Sequence, residues 1–114
     1  MFAKKNRLGK TSDVQKTFAR GRGFFNPYFS LKFVARSDAG LRCAVVVSTK
    51  VAKRAVVRNT IKRVVRQQIR VRLPQLRPGD YAVVAKPASA KLTKAQIAEQ
   101  IVKLLASSRL LANA

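Results

Sequence analysis

The chain of 114 residues contains no histidine, and its acidic residues number only four: Asp13, Asp38, Asp80 and Glu99. Without histidine, no ordinary side chain titrates near neutral pH and could serve as a general base. No two of the four acids share a motif that would hold a metal pair or work together as general acid and base. The polypeptide alone is therefore not expected to catalyse a hydrolysis, and no catalytic or metal-binding residue is predicted.

Cysteine, glycine loops and long apolar runs are equally scarce. The single Cys43 cannot form an internal disulfide, and without histidine it makes neither a zinc site nor a Cys-His nucleophile. Since it lies in an apolar strand pattern, we interpret it as a buried, inert thiol. The glycines form no phosphate-binding loop. The apolar runs are far shorter than the ~20 residues of a membrane helix, and the first residues lack an apolar signal core. We expect a cytoplasmic protein with no membrane partner.

Positive charge is abundant instead. Lysine and arginine number 25, the net charge is +21 and 47% of the residues are hydrophobic. The hydrophobic content argues against a disordered basic tail and suits one small folded domain. Solubility rarely needs a net charge above about 8, so the excess indicates a polyanionic partner. We predict a single RNA-binding domain over residues 1–114, with residues 1–10 as a flexible basic arm.

The basic residues are most regular between residues 53 and 70, KRAVVRNTIKRVVRQQIR. They recur every fourth residue, which on a helix predicts one slowly drifting cationic stripe, made of Arg54, Arg58, Lys62, Arg66 and Arg70. The opposite arc is then Val57, Ile61, Val64, Val65 and Gln68. A helix with such like charges repels itself, so an anion is expected against the stripe. The alternatives are a solvated charged face and a membrane-surface helix, but the apolar arc has no Trp or Phe to seat in an interface.

Hydrophobic periodicity and turn residues predict the order helix, two or three strands, helix, strand, helix. The predicted elements are a helix from a Ser12/Gln15 capping box to Arg20-Gly21, a loop or strand entry at residues 23–27, an alternating strand from Phe29, a hairpin turn at residues 37–40, a central strand at residues 41–48, the basic helix to about Leu73, a strand at residues 81–85, and a helix from a Thr93/Gln96 capping box to about Leu111. The basic helix connects two apolar strands, which predicts that they are parallel neighbours. Such crossovers are generally right-handed.

Aromatic residues cluster with basic ones early in the chain, as Phe18, Phe24, Phe25 and Tyr28 beside Lys16, Arg20 and Arg22. Rings interleaved with cations suit single-stranded nucleic acid, whose bases stack on rings while phosphates meet cations. The alternative is that these rings are core, as we expect for Phe29, Leu31 and Phe33. The other side of that strand would carry Ser30, Lys32, Val34 and Arg36, a basic floor for RNA if it is open.

One segment resembles a known family. Residues 50–66, KVAKRAVVRNTIKRVVR, resemble the signature of the bacterial ribonuclease P protein component, which has an Arg-Asn-Arg run followed two residues on by Lys-Arg, on a long helix between two strands. The resemblance extends over nearly the whole chain and includes Asn6-Arg7-Leu8, the Phe18 helix, Gly79-Asp80-Tyr81 and residues 85–88.

The resemblance implies an α+β fold, a small α/β sandwich of order α-β-β-β-α-β-α, with a left-handed crossover around the basic helix. It also implies a non-catalytic subunit of an endoribonuclease. The partner is a catalytic RNA that, with Mg²⁺, hydrolyses a phosphodiester and removes the 5′ leader of precursor tRNA. No obligate protein partner is expected, and the bacterial cytoplasm is the expected location.

The site residues fall into two groups. The RNA-subunit contacts combine the residues that match the family motif with nearby cations, as Lys50, Lys53, Arg54, Arg58, Asn59, Lys62, Arg63, Arg66 and Arg70. The leader contacts are expected in a cleft between the first helix and the open sheet face, as Lys16, Phe18, Arg22, Phe24, Phe25, Lys32 and Arg36.

The chain departs from the family pattern at three positions. Thr60 replaces the third residue of Arg-Asn-Arg, which removes one cation. Val14 and Lys32 stand where many members have aromatic residues, so leader contacts are expected to depend more on charge. Two other functions fit the composition: a ribosomal protein, and a nonspecific RNA chaperone or DNA-binding module.

Overall fold

A computed structural model describes residues 6–9, 11–36 and 40–111. In these ranges the chain forms three helices and four strands in the predicted order α-β-β-β-α-β-α. They are α1 (Thr11–Arg20), β1 (Arg22–Phe25), β2 (Phe29–Ala35), β3 (Leu41–Val46), α2 (Ala55–Arg70), β4 (Gly79–Ala85) and α3 (Lys94–Ser107). Two short 3-10 turns, Leu73–Gln75 and Pro87–Lys91, lie on either side of β4.

The strands form one mixed sheet with the order β1-β2-β4-β3. β4 runs parallel to β3 and antiparallel to β2, so the prediction that the basic helix joins two parallel neighbours is confirmed. Two other predictions are wrong. β2 and β3 do not form a hairpin, and β3 is not central, because β4 lies between them. β4 is buried on both faces, whereas β3 alternates between buried and more exposed residues, and this difference makes β4 the inner strand.

One face of the sheet forms the hydrophobic core with α2 and α3. From the sheet come Phe29, Leu31 and Phe33 of β2, which are at most 5% exposed and follow the predicted alternation. The helices contribute Ile61, Val65, Ile69, Ile97, Ile101, Leu104 and Leu105. Each large side chain buried in this way stabilises the fold by about 1.5–3 kcal/mol. The core therefore fixes α2 and α3 firmly on the sheet.

The other face of the sheet contacts α1. Thr17 of α1 is 1% exposed and Ala82 of β4 is 0% exposed where the two elements meet. α1 begins at Thr11, so Ser12, predicted as the N-cap, lies inside the first turn. Farther along the face the side chains are more accessible, and Val46 is 37% exposed. This uncovered part of the face is one candidate surface for a ligand.

The segment before α1 adds to the free edge of β3. Leu8 donates its backbone N–H to the carbonyl of Cys43 at 3.0 Å, and Asn6 Nδ2 donates to the carbonyl of Leu41 at 2.8 Å. The side chain of Leu8 is buried. Residues 6–9 are therefore held on the sheet edge, and the prediction of a flexible arm is wrong for them. Residues 1–5 and 10 of the predicted arm lie outside the described residues.

The ends of α3 show how local signals compare with tertiary ones. The predicted capping box is confirmed, with Gln96 N donating to Thr93 Oγ1 at 3.2 Å and Thr93 N donating to Gln96 Oε1 at 2.9 Å. The helix ends at Ser107, four residues before the predicted end. Leu111 instead forms a β-bridge with Leu76.

The predicted hairpin turn at residues 37–40 lies outside the described residues, except for Gly40.

Candidate nucleic-acid interface

The helix α2 presents its outer surface to solvent without an acidic residue in its first turn. Its N-cap, Arg54, has extended geometry and makes no side-chain capping bond. The first backbone N–H groups of a helix carry a partial positive charge. Here that charge adds to the side-chain charges of Lys50, Lys53 and Arg54, which are all exposed.

The cationic stripe on α2 is a spiral. Four residues on an α-helix turn through about 400°, so each step of four drifts by about 40°. The drift carries the series from the flank of the buried side to the solvent side: Arg58, Lys62 and Arg66 are partly buried and Arg70 is exposed. An outward ridge of exposed residues runs beside the series and is made of Asn59, Arg63 and Gln67. The series therefore drifts around the helix as predicted, but its middle part, Arg58 to Arg66, does not lie opposite the apolar arc.

Arg58 has a role within the fold. Its Nη1 donates to the carbonyl oxygens of Ala52 at 3.0 Å and Lys53 at 2.7 Å. These two bonds tie the first turn of α2 to the loop that enters it. Arg58 thus also positions Lys53, another residue predicted to bind the RNA subunit.

The three residues of the outward ridge, Asn59, Arg63 and Gln67, line one surface hollow of about 410 Å³ together with Arg66 of the basic series. Two arginines offer planar forks that bind phosphate oxygens in pairs. Two amides offer both donors and acceptors. This combination suits the ribose-phosphate backbone and base edges of a nucleic acid.

The described acidic residues bind cations elsewhere. Arg42 of β3 donates two hydrogen bonds of 2.8 Å to the carboxylate of Asp80 of β4, from Nε to Oδ1 and from Nη2 to Oδ2. Arg42 also lies 3.4 Å from Asp13 of α1, and Arg36 lies 3.4 Å from Asp80. Within the described part of the chain, no acidic side chain is ion-paired with a cation of α2. The positive field over α2 is therefore uncompensated, which favours a polyanion.

The uncovered sheet face is the second candidate surface. The strand register places Phe25, Ser30, Val84 and Val46 side by side across all four strands. Phe25 is 76% exposed, and Lys86 Nζ lies 4.9 Å from the centre of its ring. Lys86 Nζ also donates to the carbonyl of Asn26 at 2.7 Å. An exposed ring beside a fixed ammonium group can stack a base and hold its phosphate.

α1 borders this row, and contacts toward both of its ends fix it on the sheet. Toward its start, Asp13 of α1 lies 3.4 Å from Arg42 of β3. A bond within the helix, from Thr17 Oγ1 to the carbonyl of Asp13 at 2.9 Å, supports the same turn. Just after its end, Gly21 approaches β2 so closely that a Cβ there would lie 3.1 Å from Lys32 Cβ. The position of α1 sets the space left open on the face.

The structure divides the residues predicted to bind the leader. Phe25 and Lys32 of the sheet lie on the same face as α1, which carries Lys16 and Phe18. Arg22 and Phe24 lie on the core face, since they pair with Phe33 and Leu31 respectively. There the Arg22 guanidinium lies 5.7 Å above the Phe24 ring, and Phe24 packs partly against the core.

Arg36 is on the same face as Lys32 but is engaged with Asp80. Three residues that the structure places at these surfaces are not among the predicted site residues: Gln67, Arg42 and Lys86. Gln67 had a signal, because it follows Asn59 and Arg63 at intervals of four. Arg42 also had one, as a charge inside an apolar strand. Lys86 is brought to Phe25 by the sheet pairing, for which the sequence carries no local signal.

Cys43 is buried, as predicted. Burial raises the pKa of its thiol to about 12, and the positive charge of Arg66 offsets part of this rise. Burial also raises the pKa of Tyr81, whose hydroxyl donates to the carbonyl of Arg77 at 2.6 Å. The described residues contain no group of three or more His, Cys, Asp or Glu side chains that could hold a metal ion. Among the described helices, none has the length and apolar character needed to cross a membrane.

Comparison with known proteins gives one family. The family model named Ribonuclease P matches residues 2–109. The ribonuclease P protein component of Xanthomonas euvesicatoria is 39% identical over 104 residues, which cover 91% of this chain and 71% of that protein. The component from a Cyanothece species is 30% identical and covers 97% of this chain and 98% of its own.

Solved structures agree with the sequence relatives. The RNase P protein of Staphylococcus aureus superimposes with a TM-score of 0.90 at 26% identity, covering 95% of this chain and 99% of that one. The RNase P protein of Thermotoga maritima, in complex with 1-(4-fluorophenyl)-2-thiourea, gives a TM-score of 0.79 at 26% identity, covering 87% and 96%.

Proposed function

The chain belongs to the ribonuclease P protein family, and from that premise we propose that it binds the catalytic RNA subunit and the 5′ leader of precursor tRNA. The observation that carries this proposal is the uncompensated cationic surface of α2. In the proposed complex the protein assists the endonucleolytic removal of the leader in the bacterial cytoplasm. It contributes binding energy and orientation to this reaction.

The RNA subunit lies against α2 and its entry loop. Arg63, Asn59 and Gln67 are exposed on the outer surface of α2 and make the central contacts. The remaining predicted contacts surround this ridge, namely Lys50, Lys53, Arg54, Arg58, Lys62, Arg66 and Arg70. Each phosphate neutralised by a cation releases counterions, so binding of the RNA weakens steeply as salt rises.

The hydrolysis itself is assigned to the RNA with Mg²⁺. The chain has no histidine, and its described acids are engaged in ion pairs with arginine and lysine. This set of side chains does not fit a protein-held magnesium site, which needs free carboxylate oxygens. Mg²⁺ is therefore assigned to the phosphates of the RNA, where it supplies charge stabilisation for phosphodiester cleavage.

The leader of the precursor lies on the uncovered sheet face beside α1. Phe25 is the stacking platform and Lys86 and Lys32 hold phosphates, while Lys16 and Phe18 form the opposite wall. Arg36 supports this surface through Asp80. Arg22 and Phe24 lie around the β1 edge on the core face, so in this proposal they contact the leader only if it passes over that edge.

Reconstitution tests the proposal. The purified chain is mixed with a catalytic ribonuclease P RNA and a labelled precursor tRNA at limiting Mg²⁺. The chain alone should cleave nothing, and with the RNA it should lower the Mg²⁺ requirement or tighten precursor binding. No effect on cleavage or on precursor binding at any Mg²⁺ concentration would contradict the proposal.

Charge variants locate the interface in the same assay. Arg63→Ala should reduce the slope of log affinity against log salt by about 0.7–0.9, the value of one phosphate contact. Lys103→Ala is the matched control, because Lys103 is bound to Glu99 at 2.9 Å on α3. Equal slopes for the two variants would place the interface elsewhere.

A further inference from the structure

Three surface hollows follow one another across α2, and each shares lining residues with the next. We call this row of hollows the groove. The central one, described above, shares Arg66 with a hollow of about 350 Å³ at the edge of β3, where Leu8, Gly9 and Ala44 also line the wall. On the other side it shares Arg63 and Gln67 with a hollow of about 400 Å³ between α2 and α3.

We propose that a strand of the partner RNA follows this groove across α2 and is held at its far end by α3, with Lys94 as a phosphate contact. This inference rests on the proposed function, since it takes the RNA subunit as the ligand. It adds a second helix to the interface and specifies the path of the RNA strand, from the edge of β3 across α2 to α3. It also gives a function to a residue outside the basic helix.

The chemistry of the α2–α3 hollow supports a nucleic acid. Its floor includes the small side chains Ala95 and Ala98, which leave room for a ribose or a base. Its rim carries Arg63 and Lys94, which stand on opposite helices, and the amide of Gln67. Cations and an amide can bind phosphate and sugar oxygens, and the small apolar side chains leave space beside them, so this lining suits a nucleic-acid backbone.

We assign the binding to side chains and not to the N-terminus of α3, whose capping box already engages the backbone N–H groups of Thr93 and Gln96. The ligand contacts therefore come from side chains that two rigidly packed helices hold apart. α2 and α3 are fixed against each other through the core, where Val65 and Ile101 are both at most 1% exposed.

Charge selects RNA over an apolar partner helix. The acid closest in sequence to the hollow on α3, Glu99, is bound to Lys103, and none of the residues lining the hollow is acidic. An apolar helix docked there would remove Arg63 and Lys94 from water without supplying a counterion to either, which is unfavourable. RNA supplies phosphates to both cations.

Two substitutions and one control test the groove. Lys94→Ala should reduce the salt slope of RNA-subunit binding by about 0.7–0.9 and lower affinity about fivefold at 0.15 M salt. Ala98→Leu should fill the floor and also lower affinity, with no change in the slope. Lys103→Ala on the same helix should bind as the unaltered chain does.

Crosslinking gives an answer that does not depend on affinity. Cys43 is buried with a raised thiol pKa, so a cysteine introduced at the exposed Ala95 can be labelled selectively with a photoactivatable group. The Ala95→Cys chain should crosslink to the RNA subunit, and a Lys103→Cys chain should not. Crosslinking from both positions, or from neither, would contradict the proposal that the RNA follows this groove to α3.

The outcomes separate this inference from the proposed function. If the unaltered chain binds the RNA, and Lys94→Ala and Ala98→Leu bind it with unchanged affinity and slope, the α3 contact is wrong and the function stands. If Ala98→Leu fails to fold, Lys94→Ala and the crosslink decide the matter. If the unaltered chain does not bind the RNA, both proposals fall.

Discussion

Replacing Arg42 with methionine should loosen α1 and thereby alter the leader surface without touching it. Methionine keeps much of the side-chain volume and removes the charged fork. Arg42 makes two bonds of 2.8 Å to Asp80 and lies 3.4 Å from Asp13. The substitution therefore leaves the Asp80 carboxylate, 11% exposed, with Arg36 at 3.4 Å as its remaining described ion pair.

The size of the effect follows from this geometry. Removing one partner of a buried ion pair costs about 3–5 kcal/mol. Two observations reduce that figure: the Arg42 side chain is 28% exposed, and Arg36 still compensates part of the Asp80 charge. We expect a loss of about 2–3 kcal/mol in the free energy of unfolding. In a domain of this size the loss lowers the melting temperature by about 10 °C.

Thermal and denaturant unfolding measure the loss, with two controls. Arg63→Met removes a charge from the outward ridge of α2 and should change stability by less than about 0.5 kcal/mol. The double variant Arg42→Met/Asp80→Asn removes both charges and should be less destabilised than the sum of its single variants. A loss below about 0.5 kcal/mol for Arg42→Met, or strict additivity in the double variant, would refute the reasoning.

The same variant should separate the two binding surfaces. α1 contacts the sheet face on which we propose the leader, whereas α2 packs on the opposite face. Affinity for the leader-bearing precursor should therefore fall in Arg42→Met, while affinity for the RNA subunit alone should not. Equal losses in both affinities would mean that the variant acts through global unfolding.

Three further predictions concern the aromatic residue Phe25, position 60 of α2 and the thiol of Cys43. Phe25→Ala should weaken the binding of a leader-bearing precursor by about 1–3 kcal/mol and leave the binding of mature tRNA unaffected. Phe24→Ala should mainly lower the melting temperature, because that ring packs on the core. Binding assays and thermal melts of both variants test this, and a binding loss in Phe24→Ala with a stability loss in Phe25→Ala would contradict it. Thr60→Arg, which adds a cation to α2, should steepen the salt slope of RNA binding by about 0.7–0.9, as a salt titration would show; an unchanged slope would place residue 60 outside the interface. The thiol of Cys43, whose pKa is raised from 9.0 to about 12, should react with maleimide at pH 8 only after unfolding. Because the unfolded thiol ionises first, the free energy of unfolding should also fall as pH rises above about 9, and rapid labelling of the native chain would contradict its buried position.

Features with local causes were predictable from the sequence. The capping box at Thr93 depends on residues three apart, and the basic helix depends on a long run without proline or glycine. The alternation of Phe29, Leu31 and Phe33 likewise follows from the period of a strand. These elements appear in the structure near their predicted bounds.

Features with long-range causes were not predictable in the same way. The strand order depends on which apolar strand pairs on both sides, and β3 and β4 have similar compositions. Nothing local shows that residues 6–9 add to the edge of β3. The drift of the basic series was predictable, since a spacing of four exceeds the 3.6-residue turn, but which part of the series faces solvent depends on how α2 packs on the sheet. As a result, Gln67 was overlooked although it lies on the outward ridge.

The most direct test of the proposed function is the cleavage of precursor tRNA at limiting Mg²⁺ by a catalytic ribonuclease P RNA, measured with and without this chain. We predict faster cleavage or tighter precursor binding with the chain present, and a loss of that stimulation when Arg63 and Asn59 are both replaced by alanine. Identical cleavage rates and precursor affinities with and without the chain would contradict the proposal that α2 binds the catalytic RNA.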